Sequence, residues 1–216
     1  MIEIEHIFIA LASPLFVFCF VMEKEERRHL LSLLAGFGAA LLAGYINSCF
    51  TMLFQMTGSE AVQNLTPIVE ELLKMFPVLF FAEAFAQNRK QVITVAVEIG
   101  LGFAVLENCS YLVTYGSESL LFSIVRGLAT GVLHPLCTMI AGIGVCLLYK
   151  RKKFATVSFF GFLCTAIMVH GTFNLLIEAE ERAYRFWGCL IPLLLTGICI
   201  LCYKIYRKRN LKQEPE

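Results

Sequence analysis

The sequence contains no aspartate, and charged side chains are scarce: lysine, arginine and glutamate together make up only 16% of its 216 residues. In an average soluble domain, about a quarter of the residues are charged. This shortage of polar surface excludes a water-soluble globule, and a hydrophobic content of 58% excludes a disordered chain. A net charge of +1 is too small for a typical nucleic-acid-binding protein. The composition therefore predicts an integral membrane protein.

Internal repeats, low-complexity segments and the zinc-binding motif HExxH are also absent from the sequence. Without HExxH, two histidines on one helix cannot form the metal site of a zincin-type protease. The nine cysteines lie in apolar runs, where cysteine packs as a small hydrophobic residue. A disulfide-rich secreted module is therefore excluded as well.

Seven apolar segments are long enough to cross a bilayer, which requires about 20 residues per helix. We therefore predict an all-α, polytopic membrane protein, a bundle of about seven transmembrane helices. The fifth segment is long, and we expect it to begin with a separate or broken piece near Gly127 and Gly131. The predicted spans are residues 6–22, 30–54, 67–87, 91–115, 119–149, 154–178 and 184–206.

Lysine and arginine residues concentrate in alternate loops. They occupy the loops after spans 1, 3 and 5, including the run at 150–153, and the C-terminal tail. The loops at 55–66 and 115–118 hold none. Because positively charged loops stay in the cytoplasm, the pattern predicts an N-terminus outside the membrane and a C-terminus in the cytoplasm.

Ionisable residues also occur inside the predicted spans, where a charged side chain costs about 2.5–3.5 kcal/mol near the helix centre. Such residues usually face the interior of a bundle and serve a function. We therefore expect the helices that carry them to share one polar interior. The residues are Glu70, Glu71 and Lys74 in span 3, Glu98 and Glu107 in span 4, Arg126 and His134 in span 5, and His170 in span 6.

Span 3 carries the densest group of charges. Glu70 and Lys74 are four residues apart, so they share a helix face and are expected to pair. Glu71 projects about 100° away and is expected to stay free for chemistry. The alternative interpretation is a glutamate–lysine pair that only locks two helices together.

Polar residues recur at helical spacing in the next three spans. Glu107 is either a site residue or simply a partner for Arg126, whereas Glu98 lies off its face and is interpreted as structural. A histidine in a membrane can also do no more than hydrogen-bond a neighbour. The stripes are Phe103, Glu107 and Asn108 in span 4, Arg126, His134 and Thr138 in span 5, and His170 and Asn174 in span 6.

These groups are predicted to lie at similar depths in the outer half of the membrane. At 1.5 Å per residue, Glu70 lies about 5 Å below the outer end of its span, and Glu107 lies about 12 Å below the outer end of its own span.

Carboxylates and imidazoles in one water-filled pocket can activate water, and two histidines with a glutamate can hold zinc. Asn174 can donate to a developing oxyanion. The hypothesis is hydrolysis of a peptide bond at the outer membrane face.

Four motifs in this order resemble those of the PrsW family of intramembrane proteases: EExxK at 70–74, FxxxEN at 103–108, Arg126 with HPxxT at 134–138, and HxxxN at 170–174. The resemblance implies a multi-pass protease of the bacterial plasma membrane. One integral membrane domain is expected over residues 1–216, with a motif-bearing core at 66–178. The implied substrate is a single-span membrane protein, an anti-sigma factor, cut first on its extracytoplasmic side. No nucleic-acid partner is expected.

The motif residues suggest roles. Water is expected to be activated by Glu71, with Glu70 beside it, and a zinc ion is expected at Glu107, His134 and His170. A metal-free glutamate protease is the alternative. The similar CAAX-processing proteases typically have histidine at the position of Glu107. The predicted catalytic residues are Glu70, Glu71, His134, His170 and Asn174, and the supporting residues are Lys74, Phe103, Glu107, Asn108, Arg126 and Thr138.

Two other functions are compatible with the same residues. Membrane glutamates and histidines also form the relays of proton- or ion-coupled transporters, although the sequence shows no inverted repeat with paired broken helices. A non-catalytic scaffold, similar to the Aph-1 subunit of gamma-secretase, would use its polar residues only to fix helix packing.

Overall fold

A computed structural model describes residues 4–115, 120–148 and 154–210. Within these residues the chain forms seven long helices and no strand. The predicted run of basic residues at 150–153 lies outside the described residues. The helices are α1 (Ile4–Phe18), α2 (Lys24–Leu53), α3 (Thr66–Ala84), α4 (Arg89–Tyr115), α5 (Leu120–Leu148), α6 (Ala155–Glu178) and α7 (Arg182–Asn210).

The predicted all-helical membrane fold is confirmed, with one long helix at each predicted span. Five helices are long and apolar enough to cross a bilayer: α2, α6 and the segments Arg89–Thr114, Ser123–Leu148 and Arg182–Leu201 of α4, α5 and α7. α1 is shorter, at 15 residues, and α3 carries a high density of charges. The predicted break near Gly127 and Gly131 is not found, because α5 runs as one helix through both glycines.

The bundle has an apolar exterior and a group of charged side chains within an otherwise apolar core. Large apolar side chains face outward on most helices, including Phe76 and Phe80 of α3 and Met168 of α6. Lys74 and Glu71, by contrast, are completely buried. An apolar exterior, with the charged side chains turned toward the interior, is what a bundle surrounded by lipid requires.

Glycines on α4 allow close contact with the helices on both sides. Gly102 lies against the backbone of Leu33 on α2. A Cβ at Gly100 would lie 2.7 Å from the carbonyl oxygen of His134 and 2.6 Å from the Cα of Pro135. α4 therefore packs directly against α2 and α5 without intervening side chains, as small residues allow in membranes.

A short helical segment leads into α3. Thr57 caps it, and its backbone N–H donates to the carboxylate of Glu60 at 2.8 Å. The hydrogen bonds from the backbone and hydroxyl of Thr57 lower the pKa of Glu60. One helical turn, Gly58–Glu60, is followed by a π-helical turn, Ala61–Leu65, which continues into α3. Such turns are rare and often lie near functional sites.

The close contact at Gly100 generates a stability prediction. Gly100→Ala would force α4 away from α5, and we expect a loss of about 1–3 kcal/mol, the usual cost of overpacking. Gly127→Ala on α5 is the matched control, because a Cβ there meets nothing within 4 Å. Thermal unfolding in detergent compares the two variants. Equal stability of the two would contradict the packing described here.

Candidate active site

The core of the bundle contains a cluster of ionisable side chains from four helices. α3 contributes Glu70, Glu71 and Lys74, α5 and α6 contribute His134 and His170, and α4 contributes Glu107, which contacts His134. The five residues on α3, α5 and α6 are buried, and none of them is more than 6% exposed. Because isolated buried charges are costly, these groups depend on one another for stabilisation.

Lys74 lies at the centre of the cluster. Its Nζ donates to Glu71 Oε1 at 2.6 Å and to His134 Nδ1 at 3.1 Å. It also lies 4.6 Å from the ring centroid of Phe103, a cation–π contact. The sequence-based pairing was wrong, since Lys74 pairs with Glu71 rather than Glu70. Spacings of three and four both allow contact on a helix, and here the lysine extends toward the side occupied by His134.

Each histidine is held by a glutamate on one ring nitrogen. His170 Nδ1 lies 2.8 Å from Glu71 Oε1, and His134 Nε2 lies 2.6 Å from Glu107 Oε2. A carboxylate accepts from an imidazole N–H, so these contacts assign the protonated nitrogen of each neutral ring. The remaining nitrogens are His170 Nε2, which lies 3.8 Å from Glu70 Oε2, and His134 Nδ1, which accepts from Lys74.

Glu70, His134 and His170 form a group that could hold a metal ion. One ligand atom from each residue lies within 4.8 Å of the others. The two imidazole rings are 5.0 Å apart and nearly perpendicular. Glu70 Oε2 is buried and has no hydrogen-bond partner among the described residues. One carboxylate and two imidazoles are ligands that zinc accepts, so these residues fit a metal once Lys74 releases the Nδ1 atom of His134.

Glu107 was predicted to be a metal ligand, together with His134 and His170. In the structure, Glu70 rather than Glu107 completes the group with these two histidines. Glu107 Oε1 accepts from Arg126 at 3.4 Å, while its other oxygen contacts His134. The guanidinium of Arg126 in turn stacks on Tyr111, 3.3 Å from the ring centroid. Glu107 therefore connects Arg126 to His134, the position of a residue that orients a histidine from behind.

Other predicted site residues make contacts around this cluster. Asn174 Nδ2 donates to the carbonyl oxygen of Val62 at 2.8 Å, so this N–H is not free for an oxyanion. Asn108 accepts from Thr130 at 2.5 Å. Thr138 donates to the carbonyl of His134 at 2.8 Å. Asn174 therefore connects α6 to the π-helical turn, and Asn108 connects α4 to α5. The hydrogen bond of Thr138 lies within α5.

Sequence reasoning missed the partner of Asn174 because Val62 contributes only its backbone, and a π-helical turn has no distinctive residue pattern. The nearest available signal was the Thr57–Glu60 capping box, which marks a helix start before the predicted span. Glu98 lies outside the cluster, as predicted, and contacts His29 at 2.5 Å.

The buried Lys74–Glu71 pair predicts a specific pattern of stability. Lys74→Met would leave the Glu71 carboxylate buried without its ammonium partner, at an expected cost of about 3–5 kcal/mol. Adding Glu71→Gln removes the unpaired charge and should restore much of that loss. Thermal unfolding of the single and double variants measures the difference. If the double variant is less stable than Lys74→Met, the pair does not balance charge as described.

The chain is similar to known membrane proteases. The sequence profile described as "PrsW family intramembrane metalloprotease" matches residues 25–201. A curated relative, Protease PrsW from Geobacillus kaustophilus (strain HTA426), is 29% identical over 138 residues, which cover 61% of this chain and 56% of the relative. The chain thus spans little more than half the length of this relative. No solved structure matches the chain significantly.

The profile match covers four of the helices that carry the cluster and extends well beyond them on both sides. It includes every glutamate and histidine described above as part of the cluster. The family resemblance inferred from the sequence motifs is therefore confirmed, and this chain belongs to the PrsW family of intramembrane metalloproteases.

Proposed function

We propose that this protein is an intramembrane endopeptidase that hydrolyses a peptide bond in a single-span membrane protein. The observation that carries the proposal is the buried group of Glu70, His134 and His170, whose ligand atoms lie within 4.8 Å of one another. Two histidines held from behind by glutamates, facing a carboxylate oxygen without a partner, are suited to activating water.

The contacts favour Glu70 over Glu71 as the group that takes a proton from water. Glu71 Oε1 already accepts from Lys74 and faces His170. Oε2 of each glutamate is buried without a hydrogen-bond partner among the described residues. The difference lies in the charge of Lys74, which is paired with Glu71, whereas Glu70 lies 3.8 Å from the Nε2 atom of His170. We assign Glu71 and Glu107 to positioning: each fixes the orientation of one histidine.

The reaction needs a base, a polarised carbonyl and a proton for the leaving amine. Glu70 accepts a proton from water as the oxygen attacks the peptide carbonyl, and returns it to the amine nitrogen when the C–N bond breaks. The charge of Lys74, which is shared with Glu71 and His134, favours negative charge developing nearby. A zinc ion held by Glu70, His134 and His170 would supply Lewis-acid polarisation and a more acidic water. With zinc bound, Glu70 would serve as a ligand, and the role of base described here belongs to the metal-free alternative.

The setting of this reaction follows from loop charge and from the family. We propose a bacterial plasma membrane protein with its N-terminus outside and its C-terminus in the cytoplasm. This orientation would put the α3 end that carries Glu70, four residues after Thr66, in the outer half of the bilayer. A first, extracytoplasmic cut in an anti-sigma factor is the proposed physiological reaction.

Replacing the two neighbouring glutamates separately tests their roles. Glu70→Gln is expected to lower cleavage by about 10²-fold or more, the usual contribution of a general base. Glu71→Gln is expected to lower it by about 10- to 100-fold, the usual effect of losing a residue that orients a histidine. Cleavage of a coexpressed single-span membrane reporter, normalised to protein level, measures both.

Glu98→Gln is the matched control for these variants. Glu98 is another glutamate within a membrane helix, but it contacts His29 rather than the cluster. We expect unchanged cleavage for this variant. If Glu70→Gln cleaves as well as Glu98→Gln does, the proposed role of Glu70 is wrong.

The metal assignment predicts stoichiometric zinc in the purified protein. Elemental analysis should find about one zinc per chain, and Glu70→Gln and His170→Ala should reduce it, whereas Glu98→Gln should not. A chelator should abolish cleavage, and added zinc should restore it. Full cleavage by metal-free protein would refute the zinc assignment and support metal-free glutamate chemistry.

A further inference from the structure

A cavity lies away from the glutamate–histidine cluster. It is formed by the start of α2, the end of α3 and the start of α4. Its volume is about 610 Å³, which is within the range of small-molecule sites in proteins. We refer to it as the α2–α4 cavity. No predicted or proposed catalytic residue lines it. Its function is therefore a separate question from that of the cluster.

One end of the α2–α4 cavity is predominantly cationic. Lys24, Arg27 and Arg28 line it, with Glu25 as the one carboxylate among the lining residues. Glu25 is 78% exposed and lies 4.0 Å from Arg28, so it neutralises the arginine only weakly. Arg28 Nε is buried and has no hydrogen-bond partner in the described part of the chain. This end therefore favours an anionic, hydrogen-bond-accepting group.

The remainder of the cavity is apolar. Pro77, Phe80 and Phe81 of α3 form one wall, and Val95 and Ile99 of α4 form another. Phe80 is exposed, whereas Ile99 is almost completely buried. The apolar lining of the cavity therefore extends from the bundle surface into its core. A site that is cationic at one end and apolar at the other matches an anionic amphiphile.

We propose that the α2–α4 cavity binds one anionic phospholipid, with its phosphate against Arg27 and Arg28 and an acyl chain against Pro77 and Phe81. Basic pockets between membrane helices bind anionic headgroups in this way. A free phosphate would leave the apolar wall uncovered, and a zwitterionic lipid would bring no net negative charge to the arginines.

The cavity and the glutamate–histidine cluster share α3, so a lipid bound in the cavity contacts the helix that carries the cluster. Pro77 lies three residues after Lys74, and Phe81 lies one further turn along the same helix. Proline cannot donate to the carbonyl of Leu73, so α3 is weakened between the cavity and the cluster. A lipid packed against this segment supports the helix that positions Glu70, Glu71 and Lys74.

The test uses the full chain in nanodiscs of phosphatidylcholine with and without phosphatidylglycerol, and native mass spectrometry to count bound lipids. We expect one phosphatidylglycerol to be retained in preference to phosphatidylcholine. Arg27→Gln with Arg28→Gln should weaken retention about fivefold for each charge removed. Arg182→Gln with Arg185→Gln removes the same charge at the start of α7, outside the cavity, and should leave retention unchanged.

A second variant locates the lipid without changing charge. Ala35 of α2 lines the cavity, so Ala35→Phe should displace the acyl chain and abolish retention. The proposal is overturned if phosphatidylcholine is retained equally, if the α7 variant loses as much lipid as the α2 variant, or if Ala35→Phe retains the lipid. This result is independent of proteolysis, because it does not require a cleavable substrate.

Discussion

A buried ammonium group is the interaction on which the rest of this molecule depends. Lys74 Nζ bonds both Glu71 and His134, and so joins α3 to α5. Glu71 in turn holds His170 on α6. Removing this one positive charge would leave the Glu71 carboxylate without its ammonium partner in a protein interior, where unpaired charges are strongly unfavourable. The charged groups of the polar core therefore balance one another.

Close helix packing gives this set its geometry. α4 lies against α2 and α5 through glycines, with Gly100 touching the backbone beside His134. The same helix carries Phe103, whose ring lies 4.9 Å from the His134 imidazole, and Glu107, which bonds the far nitrogen of that ring. Backbone contact on one side and side-chain contact on the other leave the imidazole little freedom. A preorganised histidine is what hydrolytic chemistry in a membrane requires.

The fold was largely predictable because lipid imposes a simple rule on sequence. Apolar runs of spanning length predicted the long helices, and α3 was found despite its charges. The predicted break in α5 failed because a glycine lowers helix stability by only about 1 kcal/mol and keeps its backbone N–H, so α5 continues through both glycines. The pairing of Lys74 also failed, since a lysine at spacing three or four from two glutamates can reach either one, and the neighbouring His134 decides which.

Composition and helical spacing alone determined that this chain enters a membrane, which residues would be unusual there, and that four helices would share them. Which carboxylate faces which imidazole was decided by the tertiary structure. The roles suggested by the contacts depend on helix rotation and on distances between helices. These contacts leave Glu70 Oε2 without a hydrogen-bond partner among the described residues and put Glu71 and Glu107 behind the histidines. Spacing along one helix fixes a face, but it carries no information on the partner that packs against that face.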